Sequence, residues 1–161
     1  LKWAFIGRYK ARSAPMWTMF VWVSEGITSL YESIAIQNCL NYVRGTPFLP
    51  MLLRLLGVKV GKNVYLDTAD ITEFDCVTIC NFAEINNHAC LQTHLYEDRL
   101  MKVGRIAVGE AGVVGAGSTV LYDTMLGDES ALGPLTLVMK GEVVPPKARF
   151  GGSPARPMQG C

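Results

Sequence analysis

The chain has little of what marks the commoner functional classes. Lysine and arginine total 15 against 14 aspartates and glutamates, a formal charge of +1, and no basic run interrupts the 161 residues. A nucleic-acid binder of this size carries a basic face or stripe, so no nucleic-acid partner is expected. Long apolar runs are missing too. The longest uncharged stretch of the N-terminal region, Ser13 to Ser24, is twelve residues, whereas a bilayer span needs about twenty. The five cysteines, Cys39, Cys76, Cys80, Cys90 and Cys161, are odd in number and scattered, which is not the disulfide framework of a small secreted domain. Cys76 and Cys80 stand four apart, but no second tight pair follows, so no metal is expected. These thiols read as reduced and buried. Histidine is scarce, with only His88 and His94.

Half of the residues are apolar, enough to fill one core, and they are organised in two different ways. Over residues 1–57, Trp17, Phe20, Val23, Ile27, Leu30 and Ile34 recur at three- and four-residue steps, which is a helix period. Glu25 and Glu32, seven apart, mark an opposite polar face. Gly45-Thr46-Pro47 ends this segment, and Phe48 to Leu56 form a second short apolar one. Two placements fit: a helix packed on the following domain, or an interfacial helix. In the second, Trp3, Trp17 and Trp22 lie at the headgroup level beside Lys2, Arg8, Lys10 and Arg12. No secretory signal can be read, and a start at Leu1 rather than methionine fits an excised piece of a longer polypeptide.

From Val58 the texture changes. Val108, Val114, Val120, Leu126, Leu132 and Val138 place an aliphatic residue at every sixth position, four of them followed by glycine. The fourth residue after each is small in five cases: Gly112, Ser118, Thr124, Ser130 and Thr136. Ile79, Ile85 and Leu91 carry the same register upstream, and Val60 and Leu66 a looser first turn. Each hexapeptide supplies one short strand and one turn, and three close a triangular coil with the aliphatic residue inward. Glycine then serves where the backbone needs unusual dihedrals. The fold expected is mainly β: a single-stranded left-handed parallel β-helix of about four coils over residues 58–161, capped by the N-terminal helical segment. Residues 97–107 break the register and must leave the core as an excursion loop.

The repeat, with the ending Gly152-Ser153-Pro154-Ala155-Arg156, resembles the hexapeptide-repeat acyltransferases. The resemblance implies that this ending lies near the pantetheine arm of the acyl donor. It also implies a catalytic histidine where a coil gives way to the excursion, which is the place of His94. Independently, acyl transfer to an amine or hydroxyl needs a base, and imidazole suits that task near neutral pH. The bland alternative for either histidine is a solvated side chain on the coil exterior. His88 lies six residues earlier, so the two fall on different faces of the prism.

A narrower likeness covers nearly the whole chain. Asp67-Thr-Ala-Asp70-Ile-Thr-Glu73-Phe-Asp75-Cys-Val77 and Leu91-Gln-Thr-His94-Leu-Tyr-Glu97-Asp98-Arg99-Leu-Met101-Lys102 resemble the C-terminal tandem domain of single-module non-ribosomal peptide synthetases of the ε-poly-lysine synthetase type. That resemblance implies an aminoacyl-transferase or peptide-bond-forming ligase domain at the cytoplasmic face of a membrane. Phosphopantetheine would sit on a separate carrier domain, an adenylation domain would belong to the same chain, and other β-helix units would complete a pseudo-trimer. Under it, Asp67, Asp70, Glu73 and Asp75 hold a cationic acceptor, with Arg99 beside them, and Glu97 orients His94. The four acids have a bland alternative in keeping an exposed sheet soluble. Two other functions stay open: a stand-alone homotrimeric acyltransferase using coenzyme A, and an inactive β-helix that docks carrier or membrane domains.

Overall fold

The computed structural model describes residues 2–158; Leu1 and residues 159–161, Cys161 among them, lie outside it, as do the side chains of Lys2 and Phe5. A helical turn α1 (Lys2–Phe5) and a strand (Arg12–Pro15) precede the main helix α2 (Met19–Leu30). The chain then loosens into π-helical geometry at Tyr31–Ile36 and a 3-10 turn at Leu40–Val43. Helix α3 (Phe48–Leu56) ends on Gly57, whose φ of 113° lets its N–H turn back to the carbonyls of Leu53 and Arg54, as left-handed C-terminal glycines do. Among the described residues no helix is long and apolar enough to cross a membrane.

The remainder winds into a three-sided parallel coil, and the register shows why the hexad works. Leu66, Ile85, Val114, Leu132 and Phe150 stack on one face. Ile71, Leu91, Val120 and Val138 stack on the second, and Val60, Ile79, Val108, Leu126 and Val144 on the third. All but Val60 are buried, and each such side chain contributes about 1.5–3 kcal/mol relative to exposure. Leu49 and Leu53 of α3, wholly buried, close the first coil. At the far end Arg156–Pro157 folds back antiparallel on Arg149–Gly151.

The corners differ from the expectation. The left-handed residue is the third after each aliphatic, not a glycine beside it: Ala111, Gly117, Asp123, Glu129, Leu135, Gly141 and Lys147 all have φ between 52° and 73°. Of the glycines directly after these aliphatics, Gly109, Gly115 and Gly127 serve close approach, while Gly133 has ordinary room. A Cβ on Gly115 would meet the backbone of Gly133 at 2.5 Å, and one on Gly109 the Asp128 amide nitrogen at 2.7 Å. The fourth-position Ser118, Thr124, Ser130 and Thr136 are buried inside the corners. Cys80, where glycine is the commoner choice, has no positive φ; Phe82 (φ 57°) turns that corner.

The excursion is a β-hairpin, His94–Glu97 with Leu100–Val103. It turns on Asp98 (φ 52°) and Arg99 (φ 62°), the two-positive-φ geometry whose twist suits a hairpin. Arg12–Pro15 adds to it as a third strand, Arg12 opposite Val103. Buried Met101, Val103, Ala14, Tyr9 and Val21 form a small second core beneath that sheet, which holds α2 against the coil.

Candidate functional site

His94 stands third after Leu91, at the corner where the second coil opens into the hairpin. Its Nδ1 lies 2.9 Å from Glu73 Oε2. Glu73 is 1% exposed and enters from the turn Phe74–Cys76, which its own carbonyl closes by accepting from Cys76 N at 2.8 Å. Thr93 Oγ1, also buried, donates to the same oxygen at 2.5 Å. Glu73 Oε1 has no hydrogen-bond partner among the described residues. With a carboxylate at Nδ1, that nitrogen carries the proton and Nε2 is left as the basic lone pair.

Nε2 faces a cleft of about 270 Å³ between α2 and the second face of the coil, walled by Glu25, Thr28, Glu32, Asp70, Cys90 and Gln92 among others. Glu25 Oε1 is 3.8 Å from Nε2 and accepts from Tyr96 Oη at 2.6 Å; the Tyr96 ring packs edge-on to the imidazole, centroids 5.6 Å apart. Burial by itself would lower the His94 pKa, but the Glu73 hydrogen bond and the charges of Glu73, Glu25 and Glu32 outweigh it, and the net shift is upward. Cys90 is pushed up to about 12 by burial and by Asp70. It is a thiol at neutral pH and so a poor nucleophile.

The structure thus brings His94, Glu73 and Asp70 together and places the other candidates elsewhere. Glu97, three residues along the strand, points to the opposite side. It binds Lys140 at 2.5 Å and Lys102 at 3.1 Å, and those contacts depress its pKa. The carboxylate that orients the imidazole is Glu73. Asp75 accepts from Tyr9 N at 2.9 Å and lines a separate cleft with Lys10 and Lys59. Asp67 pairs with Arg44 at 3.5 Å, and Arg99 is exposed at the hairpin tip. His88 is a corner residue (φ 56°) on an adjoining cleft of about 330 Å³ with Arg44, Asn41 and Gln37. Glu32 and Asp70 line both clefts.

Glu25, Glu32, Arg44, Thr93 and Tyr96 were not singled out by sequence as site residues. For Glu25 and Glu32 the signal was present: with Ser24 and Thr28 they make one polar helix face, which borders the cleft in front of His94 while both carboxylates keep contact with solvent.

At the other end, Gly152 O accepts from Leu137 N at 3.0 Å, and Ala155 N donates to Leu137 O at 2.7 Å. This pins Gly152-Ser153-Pro154-Ala155-Arg156 to the same face that carries Cys90–Gln92. At a strand spacing of about 4.8 Å, the ending lies roughly 14 Å along that face from Leu91. Cys76 is buried, Cys80 and Cys90 are half-buried, and Cys39 is exposed; no group of three potential metal ligands occurs among the described residues.

No family model matches the chain. It is 63% identical over 157 residues to the delta-poly-L-ornithine synthetase of Acinetobacter baumannii, covering 98% of this chain and 12% of that protein. It is 29% identical over 124 residues to "Putative acetyltransferase YvoF" of Bacillus subtilis, covering 73% of this chain and 71% of the other. The chain therefore spans about an eighth of the first relative. Among solved structures, the hexapeptide-repeat-containing acetyltransferase VCA0836 of Vibrio cholerae superposes with a TM-score of 0.59 at 17% identity, over 85% of this chain and 92% of that one. Parallel stacking, inward hexads and this superposition agree: the chain has the fold of the hexapeptide-repeat acetyltransferases.

Proposed function

We propose that this chain is a transferase domain that moves an acyl or aminoacyl group from a pantetheine-linked thioester to an amine. The observation that carries the reading is His94, fixed by a buried carboxylate at Nδ1, with Nε2 turned into an acidic cleft. A neutral amine attacks the thioester carbonyl. The C–N bond forms, the C–S bond breaks, and the amine proton passes to His94 Nε2 and then to the departing sulfur, which leaves as a thiol. Glu73 is a positioning residue: it sets the tautomer and holds the imidazolium that forms. Glu25, Glu32 and Asp70 suit an acceptor that carries a second, protonated amine, so the acceptor class is a diamino acid.

The 63% relative, of which this chain matches 12%, supports a domain of a long synthetase, with the thioester on a carrier domain loaded by an adenylation domain. The pinned Gly152-Ser153-Pro154-Ala155-Arg156 turn is where the pantetheine arm would run, and further β-helix units would complete the donor site. In the coenzyme A alternative the same residues act on a free thioester. Trp17, Met19 and Trp22 are 80%, 70% and 56% exposed, with the Arg12 guanidinium 3.4 Å over the Phe20 ring beside them. We place this face at the bilayer interface on the cytoplasmic side.

The test is His94→Ala in the protein that carries this domain. Product formation should fall about 10²–10⁴-fold, while adenylation and carrier loading proceed. Undiminished product would end the proposal.

A further inference from the structure

The two adjoining clefts share a wall, and their charges are ordered. At one end stands the base, His94 Nε2. Next come two carboxylates common to both clefts, Glu32 and Asp70, from opposite walls. At the other end stand Arg44 and His88. Arg44 is held in place: Nε donates to Asp67 at 3.5 Å, one terminal nitrogen to Asn41 at 3.3 Å, and the other to Asn87. Those bonds use three of the five guanidinium N–H groups. Two remain on a guanidinium, a group suited to carboxylates, and the side chain keeps 24% of its surface accessible.

A base, then anions, then a cation is the complement of a diamino acid lying lengthwise: reacting side-chain amine, α-ammonium, α-carboxylate. We propose that Arg44, assisted by His88, binds the acceptor's α-carboxylate, and that this contact selects the side-chain amine as the nucleophile. The reverse pose fails on charge. If the α-amine were at His94, its own carboxylate would sit two bonds away, beside Glu25 and Glu73, and the distal ammonium would face Arg44. The proposal rests on the transferase reading and adds to it a specificity residue remote from the chemistry.

The experiment compares L-ornithine with 1,4-diaminobutane, which lacks the carboxylate, each as acceptor or as competitor, using the protein that carries this domain. Arg44→Gln should raise the KM for ornithine roughly tenfold to a hundredfold, the loss expected for a charged hydrogen bond. It should leave the apparent affinity for the diamine unchanged or improved, and leave kcat for any turnover of the diamine intact. Arg44→Lys should recover part of the ornithine affinity. Equal weakening for both compounds would show that Arg44 only props the wall, and no change for either would show that the carboxylate binds elsewhere; both results overturn the proposal. If His94→Ala leaves product formation intact, the transferase reading itself fails, an outcome separate from anything Arg44→Gln reports.

Discussion

Replacing Glu73 by glutamine separates what the site does from what the fold needs. The substitution keeps shape and volume at a position 1% exposed, and removes a negative charge that receives hydrogen bonds from His94 Nδ1 and Thr93 Oγ1 at one oxygen. Charged hydrogen bonds are worth about 1.5–3 kcal/mol and neutral ones about 0.5–1.5, so His94 should lose about 1–1.5 kcal/mol of support. That is about a five- to twelvefold fall in rate. An amide NH₂ turned toward Nδ1 would also favour the wrong tautomer and deepen the loss. Folding stability behaves differently. Glu73 Oε1 is buried without a partner among the described residues, and a half-satisfied buried carboxylate returns little net stability. Where His94 is neutral, at pH above its folded value, the melting temperature should therefore hold or rise slightly. The pH dependence gives the sign. His94's pKa lies above the ordinary imidazole value because of Glu73, Glu25 and Glu32, so the wild-type rate climbs with pH and levels off only above that raised value, and Glu73→Gln should move the rise and its plateau to lower pH. The stability that the pair supplies is fully present below the unfolded imidazole value of about 6.5 and fades as pH passes the folded value. The stability difference between wild type and variant should shrink along the same course. The assays are product formation against pH and chemical unfolding at several pH values. Unchanged rate and an unmoved limb would refute the dyad.

Other consequences follow from the coil and its cap. Gly115→Ala should destabilise by more than about 1 kcal/mol, because its Cβ would meet the backbone of the next coil at 2.5 Å and backbone cannot step aside cheaply. Gly26→Ala, with open space around it in the exposed face of α2, should stabilise by up to about 1 kcal/mol; urea unfolding of the two variants checks both, and equal effects would contradict the register. Ile85→Ala, wholly buried in its column, should cost about 2–5 kcal/mol in the same assay. Trp17→Ser with Trp22→Ser should abolish cosedimentation with anionic phospholipid vesicles; binding undiminished by the pair would remove the bilayer placement.

Regularity decided what could be read in advance. The hexad reports the inward stack directly, since each aliphatic meets its counterpart on the neighbouring coil, and Val108 through Val138 lie where their spacing puts them. The excursion was visible only as a gap. Its turn, Asp98-Arg99, lacks the glycine that usually signals a two-residue hairpin, and its third strand, Arg12–Pro15, comes from the far N-terminus. Exchanging Glu97 for Glu73 as His94's partner has a plain cause. Three residues apart on a strand means opposite faces, so the nearer acid in sequence was the wrong one in space. Glu73 lies 21 residues away, and only the turn at Phe74–Cys76 brings it there. Arg44 carried no pattern at all; its place depends on how the irregular segment after α2 packs.

The orientation of α2 is itself an argument about function. On the buried side are Val21, Ser24 and Tyr31, with Glu25 and Glu32 at the cleft; on the outer side Met19, Trp22, Leu30 and Ile34 stay exposed. Turned about its axis, the helix would bring Trp22, Leu30 and Ile34 toward the coil, where burial is worth about 1.5–3 kcal/mol for each side chain, at the expense of the buried Val21 and Tyr31, and would take Glu25 and Glu32 away from His94. The observed orientation forgoes that exchange. Besides the buried Val21 and Tyr31, its contacts with the coil include one hydroxyl-to-carboxylate bond, Tyr96 to Glu25, and a field of acids around an imidazole. Sequences break local rules of this kind where a site requires it. The same rotation leaves an apolar stripe without cover on the outside, so a single constraint, carboxylates facing His94, accounts both for the acidity of the cleft and for the exposed face opposite it.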